Sequence, residues 1–239
     1  MPDAAPSAAA RWQKAQAYER AWWEAHRPPS LDYFRSTAQQ VQADLAPFGG
    51  VGPASRVLEI GSGPAGLVTA LPGARRVGTD PLEGFFRTVE AFRAFRDPTV
   101  EYVAVQGEAL PFEDGAFTVA VSDNVLDHVE DPARVLAEVR RVLAPGALVW
   151  LRVHVYHGWG RLVRQALERF EVDRGHPHTF TPAALRALAE AAGFAVLHEA
   201  RGRYGPAWWG ELTAGSAKRL AHALLLVTRV EATLVLRRP

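Results

Sequence analysis

The sequence predicts an α/β fold, a doubly wound and mostly parallel sheet with helices on both faces. Three observations predict it. From Arg56 onward, short β-rich runs alternate with helical stretches, the pattern that builds parallel sheets through helical crossovers. A glycine-rich loop, Gly61-Ser62-Gly63-Pro64-Ala65-Gly66, lies between the first of these strands and a helical start. The second strand ends in an acid, Asp80, nineteen residues past Gly61. The 239 residues, 48% of them hydrophobic, are ample for one such domain.

The elements follow in order. Met1 to Ala10 is Ala- and Pro-rich and is expected to fray. Arg11 to His26 reads as a helix, with Trp12, Ala15, Trp22 and Trp23 at near-helical spacing, and Pro28-Pro29 stops it. Ser30 is placed to cap a second helix, Leu31 to Ala46, whose Leu31, Phe34, Ala38, Val41 and Leu45 share one face. The turn cluster Pro47 to Pro53 marks a boundary between an N-terminal helical cap, residues 1–50, and the main fold, residues 51–239. There Val57 to Ile60 is the first strand, and a helix begins at about Leu67. Arg76 to Asp80 is the second strand. Phe85 to Arg96 is a helix striped with Phe85, Val89, Phe92 and Phe95. Val100 to Val105 and Phe117 to Val121 are the third and fourth strands. Asp131-Pro132 places an N-cap before a proline at the first helical position and opens the helix Ala133 to Leu143. Ala147 to Val155 is the fifth strand. Thr181-Pro182 opens a helix that ends at Gly193, and Phe194 to Glu199 is the sixth strand. A helical stretch around Ser216 to Leu226 leads to a seventh, Ala232 to Leu236.

Composition excludes several classes of function. Lys and Arg number 27 against 26 Asp and Glu, a formal +1. No global charge draws the chain onto nucleic acid or an anionic membrane. Cysteine is absent, which excludes a disulfide scaffold, a thiolate nucleophile and Cys-ligated zinc or iron–sulfur sites. The start, Met1-Pro2-Asp3-Ala4, has no basic and apolar leader. The longest apolar stretch near the end, Ala221 to Thr228, contains His222 and falls far below the ~18 residues that span a bilayer. A soluble cytoplasmic protein with no membrane or nucleic-acid partner is expected.

The glycine loop fits G-x-G-x-x-G in a strand–loop–helix context. Glycines let a ligand approach the backbone, and a carboxylate at the next strand's end can accept two hydroxyl hydrogen bonds from a ribose. The alternative is a glycine turn that only packs helix on strand, with Asp80 a solvated strand end. Glu59, two residues before Gly61, bears on the choice of ligand. A carboxylate there repels the pyrophosphate of a dinucleotide and suits a cofactor with an ammonium and a sulfonium. Its other reading is a cap for loop amides or a partner for an arginine.

Val57-Leu58-Glu59-Ile60-Gly61-Ser62-Gly63-Pro64-Ala65-Gly66 resembles the first motif of class I S-adenosylmethionine-dependent methyltransferases. Further segments resemble the family in order: Asp80; Gly107 to Phe112 with Phe117 to Ala120; Asp123 to Val129; Val139 to Trp150; and Thr181 to Phe194. The last is similar to the small-molecule branch that includes ubiquinone, menaquinone and sugar methyltransferases. The resemblance covers about Arg56 to Glu199 and implies a Rossmann-like, seven-stranded sheet that binds S-adenosyl-L-methionine. It implies that Glu59, Gly61, Ser62, Gly63 and Gly66 lie along the methionine part and its loop. Asp80 would hold the ribose, with Pro81 and Leu82 beside the adenine. Glu108 and Ala109 would contact the adenine edge, and Asp123 and Asn124 would lie beneath the methionine end. Glu108 departs from the aspartate of many relatives, and Asp123 reads equally as a turn residue at a strand end.

The implied reaction is methyl transfer to a small-molecule acceptor at oxygen, nitrogen or carbon. In-line positioning and exclusion of water are its main requirements, with a general base where the acceptor is a hydroxyl or acidic carbon. The candidates are His128, His157 and His178, and His157 or His178 is the expected substrate contact; for each the alternative is a surface or satisfied core histidine. His154, His157, His176 and His178 form two spaced pairs, but no carboxylate motif anchors them and no metal is expected. Trp12, Tyr18, Trp22, Trp23 and Tyr33 in the cap, with Trp159 and Trp208-Trp209, could wall an acceptor pocket; for Trp12 and Trp22 helix-packing core is the preferred reading. Arg161, Arg164 and Arg169 read as a solvated helix face or as a grip for an anion. Two other functions compete: a protein of the same fold that binds S-adenosylmethionine for another reaction or none, and a nicotinamide-dependent oxidoreductase. The absence of a Pro-Pro-aromatic turn after Ser122-Asp123-Asn124 argues against exocyclic-amine methylation of nucleic acid.

Overall fold

A computed structural model describes residues 8–26, 30–168 and 177–239. Two helices, α1 (Ala8–Ala25) and α2 (Leu31–Leu45), precede the sheet. Then follow β1 (Arg56–Ile60), β2 (Arg75–Thr79), α3 (Glu83–Phe86), α4 (Glu90–Arg93), β3 (Glu101–Val103) and β4 (Phe117–Asp123). The second half runs α5 (Pro132–Val142), β5 (Leu143–Tyr156), α6 (Gly158–Glu168), α7 (Pro182–Ala191), β6 (Ala195–Arg201), α8 (Tyr204–Leu212), α9 (Ala217–Leu224) and β7 (Arg229–Arg237).

The strands form one seven-stranded sheet in the order β3-β2-β1-β4-β5-β7-β6. All neighbours are parallel except β7, which runs antiparallel between β5 and β6. The central strands are apolar on both faces because helices or turns cover both. Val57, Leu58 and Ile60 on β1 and Val119 to Val121 on β4 are all buried. Two apolar clusters result. One face packs Leu136, Val139, Leu185 and Phe194 on Leu58, Val149 and Leu234. The other packs Phe34, Ala38, Val41 and Leu45 of α2 on Val57, Trp150 and Val235. The Trp150 Nε1–H also donates to Asp44 at 2.8 Å. Helix α2 is thus continuous with the core of the sheet. The chain leaves β1 toward β2 on one side and later returns to β4 on the other. The carboxyl ends of β1 and β4 therefore part to open a crevice.

The predicted caps form. Ser30 accepts from the Tyr33 amide at 3.3 Å, Asp131 from those of Ala133 and Arg134, and Thr181 from that of Ala184. Pro28-Pro29, the first seven residues, Arg169 and His176 lie outside the described residues. Two expectations are corrected. The helix expected at about Leu67 is a single 3₁₀ turn, Leu67–Thr69. Only fourteen residues separate Ile60 from Arg75, and Pro72 among them has no amide to donate to a helical ladder. The helix expected over Phe85 to Arg96 is two single turns, α3 and α4, parted where Val89 is extended (φ −97°, ψ 115°). That break moves the buried stripe to Phe86 and Phe92. Helix α8, carrying Trp208 and Trp209, was not legible as a helix.

The segment after β2 is clipped to the glycine loop by a buried ion pair. Glu83 receives two hydrogen bonds from Arg96, at 2.8 and 2.5 Å, and the Arg96 Nε–H reaches the Pro64 carbonyl at 2.7 Å. Both side chains are largely out of water. Helix α1 docks on the same segment, with Trp23 edge-on to Phe86 and Phe92 at 5.6 and 5.9 Å. Removing one partner of such a pair leaves the other charge buried and uncompensated. Glu83→Gln is therefore expected to lower unfolding free energy by about 3 kcal/mol. Urea unfolding monitored by circular dichroism measures this, and a loss within error of zero contradicts it.

Candidate functional site

The glycine loop turns sharply because Gly61, Gly63 and Gly66 all have positive φ. Two of them also have no room for a side chain. A Cβ on Gly61 would lie 2.3 Å from a Val125 methyl, and one on Gly66 would lie 2.4 Å from a Glu59 carboxylate oxygen. The loop's amides point back into the protein. Those of Gly61 and Ser62 both donate to the Thr79 carbonyl, at 2.8 and 3.0 Å. That of Gly63 donates to Asp80 Oδ2 at 2.9 Å. That of Val68 donates to Glu59 Oε2 at 2.9 Å.

Glu59 and Asp80 are almost wholly buried, at 2% and 8% exposure, yet both border the crevice. Asp80 Oδ1 accepts from the Leu82 amide at 2.8 Å. Each of its oxygens has a second lone pair for a further donor. Burial pushes the Glu59 carboxyl up to about 8, against the opposing pull of the Leu67 and Val68 amides. Burial likewise pushes Asp80 up to about 7, with Glu19 of α1 adding to the rise.

The crevice has a volume of ≈ 500 Å³. Its floor is β1, the glycine loop and the end of β4. One wall is α1, through Trp12, Gln16, Tyr18, Glu19, Trp22 and Trp23, and Tyr33 of α2 adds to it. Trp12 is half-buried and Trp22 is exposed, so the core-packing reading preferred for them gives way to the pocket-wall reading. Among the described residues, five acidic side chains border the space: Glu19, Glu59, Asp80, Glu108 and Asp123. Among the described residues, the lysine and arginine that border it are Lys218 of α9 and Arg229 of β7.

Of the sequence-predicted ligand-binding residues, Glu59, Gly61, Ser62, Gly63, Asp80, Pro81, Glu108, Asp123 and Asn124 meet at this crevice. Gly66, Leu82 and Ala109 do not border it. Gly66 packs behind Glu59, Leu82 serves Asp80 through its amide, and Ala109 is exposed. The Glu108 carboxylate is engaged, since Oε1 accepts from the amides of Glu130 and Asp131 at 2.8 and 3.1 Å. Asp123 is engaged more fully. Arg152 grips it with two hydrogen bonds of 2.7 Å, the Tyr33 hydroxyl donates at 2.9 Å, and Asn124 Nδ2 at 3.1 Å. Asn124 is left-handed (φ 55°), and its buried Oδ1 accepts no hydrogen bond among the described residues.

The histidines separate. His128 borders the crevice, with Nε2 3.8 Å from Asp127 Oδ1. His178 does not border it. Its Nε2–H is shared between the Val129 and Glu130 carbonyls at 2.9 and 3.1 Å, so it ties the β4–α5 loop to the approach of α7. His157 is exposed, edge-on to Tyr204 at 4.3 Å, outside the crevice. The preference for His157 or His178 as substrate contacts is not met by their placement. Arg152, Lys218 and Arg229 were missed. For Arg152 a signal existed, a lone cation inside the apolar run Val149 to Val155 of a central strand. For the other two none did.

A methyltransferase-domain family model matches residues 31–199. An uncharacterized methyltransferase of Mycobacteroides abscessus is 30% identical over 195 residues, covering 72% of this chain and 75% of the relative. One of Mycolicibacterium gilvum is 32% identical over 194 residues, with the same coverage. Among solved structures, a geranyl diphosphate C-methyltransferase of Streptomyces coelicolor superposes with TM-score 0.61 at 15% identity, over 85% of this chain and 79% of that one. That structure holds Mg²⁺, geranyl diphosphate and S-adenosyl-L-homocysteine. The (4+2)-cyclase SpnF superposes with TM-score 0.58 at 17% identity, over 87% of this chain and 80% of that one. At these identities the superpositions show a shared fold.

The two raised carboxyls have a consequence for stability. An unfolded carboxyl loses its proton near pH 4, whereas folded Asp80 and Glu59 keep theirs to about 7 and about 8. The stabilisation from holding them neutral is complete below about pH 4 and is lost as pH climbs through these folded values. Without ligand, unfolding free energy should fall by a few kcal/mol between pH 5 and pH 8. Urea titrations at several pH values on Glu59→Gln/Asp80→Asn should give a much flatter line. An equal slope in this variant and the parent would assign the pH dependence elsewhere.

Proposed function

The chain belongs to the class I S-adenosylmethionine-dependent methyltransferases, and on that premise we propose that its crevice binds S-adenosyl-L-methionine and passes the methyl group to a small-molecule acceptor held against the aromatic wall of α1. One observation carries this reading: the loop between carboxyl-bearing strand ends has the amides of Gly61, Ser62 and Gly63 already bonded within the protein. A dinucleotide site needs free amides and a helix N-terminus aimed at a pyrophosphate. Here the amides of Gly61, Ser62 and Gly63 bond to Thr79 and Asp80, and only a 3₁₀ turn follows. The buried carboxyls there offer a phosphate no cation, and they can give up their protons to a cationic ligand that carries hydroxyls. The nicotinamide-dependent alternative lacks its phosphate device.

The donor set fits the cofactor. When bound, S-adenosylmethionine supplies an electrophilic methyl on a positively charged sulfur. Asp80 would accept the ribose hydroxyls on its unused lone pairs while its bonds to Gly63 and Leu82 fix its direction. Pro81 would lie along the adenine, with Glu108 at the edge of that pocket. Glu59 and the unsatisfied Oδ1 of Asn124 would face the amino end of the methionine part. Asp123 would act through Arg152 and Tyr33, setting the floor and not holding the ligand itself. Trp12, Trp22 and Trp23 would exclude water from the transfer path and bind a flat or apolar acceptor. His128, which borders the crevice, would take a proton from an acceptor hydroxyl or acidic carbon. The small-molecule acceptor is supported by the size and aromatic wall of the crevice.

Isothermal titration with S-adenosylmethionine tests the cofactor half, and no binding at millimolar concentration rejects it. Asp80→Ala should weaken affinity by about 1–3 kcal/mol. Because Glu59 holds its proton to about 8, a cationic ligand should expel protons at pH 7. Titrations in buffers of different ionisation enthalpy read that release, which Glu59→Gln should remove. Release of S-adenosylhomocysteine across an acceptor panel separates methyl transfer from mere binding.

A further inference from the structure

Large apolar side chains left in water are concentrated at one end of the molecule. Trp159 and Leu162 of α6 are 60% and 61% exposed, Trp209 of α8 is 61% exposed, and Leu224 of α9 is 68% exposed. Leu220, Leu225 and Leu226 extend the set. These residues come from three separate helices that meet. The Trp159 indole N–H donates to the Leu225 carbonyl at 3.3 Å, and the Trp208 indole N–H to the Ala223 carbonyl at 2.9 Å. The Gly160 backbone lies close against Leu226 and Val227.

The topology puts this face at the mouth of the crevice. Helix α6 follows the carboxyl end of β5, and α8 follows that of β6, which is parallel to β5. Helix α9 precedes β7, whose first residue Arg229 pairs with Tyr156, the last of β5. Lys218 of α9 and Arg229 both border the crevice.

Cations are interleaved with the apolar residues: Arg161, Arg203, Lys218, Arg219 and Arg229. Lys218, Arg219 and Arg229 are exposed and have no ion-pair partner among the described residues. Two acids lie on these helices: Glu168 ends α6, and Glu211 of α8 accepts from the Thr228 hydroxyl and lies 3.8 Å from His222. The formal charge of +1 conceals this polarity, because acids border the crevice while these cations stand on α6, α8, α9 and the start of β7. Leucine and tryptophan beside lysine and arginine, on short helices at one end, is the pattern of a surface that sits at a lipid–water interface. A twofold contact with a second copy would set this cationic rim against itself, which costs Coulomb energy. An anionic bilayer complements both its charge and its apolar residues.

We propose that the α6–α8–α9 face docks the protein peripherally on an anionic lipid surface, with the crevice mouth at the edge of the contact. No helix among the described residues is long and apolar enough to cross a membrane, so the contact is one of lying on the surface. It is independent of which reaction the crevice performs.

Co-sedimentation of the full chain with sucrose-loaded vesicles tests it. The protein should pellet with phosphatidylglycerol-containing vesicles, stay largely in solution with phosphatidylcholine alone, and be released by high salt. Leu162→Ser/Leu224→Ser and, separately, Arg203→Glu/Arg219→Glu should each reduce partition about tenfold. Trp209→Ser supplies an independent apolar variant should the first fail to fold, as read by circular dichroism. Calorimetry with S-adenosylmethionine should be unchanged in these variants, so failure of the cofactor reading and failure of docking are seen separately. The proposal is overturned if the parent protein does not pellet with anionic vesicles, or if the folded variants pellet equally. It is also overturned if the same variants instead dissociate a dimer seen by light scattering while vesicles leave the protein in solution.

Discussion

The fourteen residues between β1 and β2 hold a glycine turn and a single 3₁₀ turn where a helix commonly stands, and the rest of the site depends on that constraint. In a longer crossover a helix would satisfy its own amides and carbonyls. Here side chains from the surrounding strands must do so. Glu59 takes the Val68 amide and Asp80 the Gly63 amide. Arg76 gathers the carbonyls of Val68, Thr69 and Leu71, Arg96 that of Pro64, and the Tyr102 hydroxyl that of Ala65. The loop is shaped by groups that also define the chemistry beside it.

That double duty explains the electrostatics of the floor. Glu59 and Asp80 cannot leave without freeing buried amides, so they stay out of water and hold their protons to unusually high pH. Asp123 differs because Arg152 neutralises it in place, at the cost of a cation in a central strand that is partly covered by the Trp150 ring 5.1 Å away. Tyr33 closes this junction and joins α2 to the ends of β4 and β5. The N-terminal helices are therefore tied to the sheet at the site itself, through Tyr33 on Asp123 and Trp23 on Phe86 and Phe92. A wall fixed on both sides in this way suits a reaction governed by alignment and dryness.

The lining of the crevice combines carboxyl groups on β1, β4, the loops and α1 with aromatic rings on α1, and with Lys218 and Arg229 from α9 and β7. Acids and cations are thus segregated between the crevice and the α6–α8–α9 face, which the balanced composition hides.

The sequence by itself determined the alternation of strands and helices, the capped starts of α2, α5 and α7, the glycine turn, and the pairing of Glu59 with Asp80 across it. These are legible because each rests on a local rule, such as a period, a cap, a positive φ or a spacing of about one crossover. Only the tertiary structure decided the length of the helix after the loop, the break at Val89, and which histidine reaches the crevice. His128, His157 and His178 all stand near strand ends or loops in the sequence. The direction of each ring depends on neighbours far along the chain, such as the Val129 and Glu130 carbonyls that hold His178 and the Tyr204 ring that meets His157. The same holds for Lys218 and Arg229, which reach the site because β7 inserts antiparallel beside β5. That pairing is a long-range contact, and no local pattern of residues encodes it.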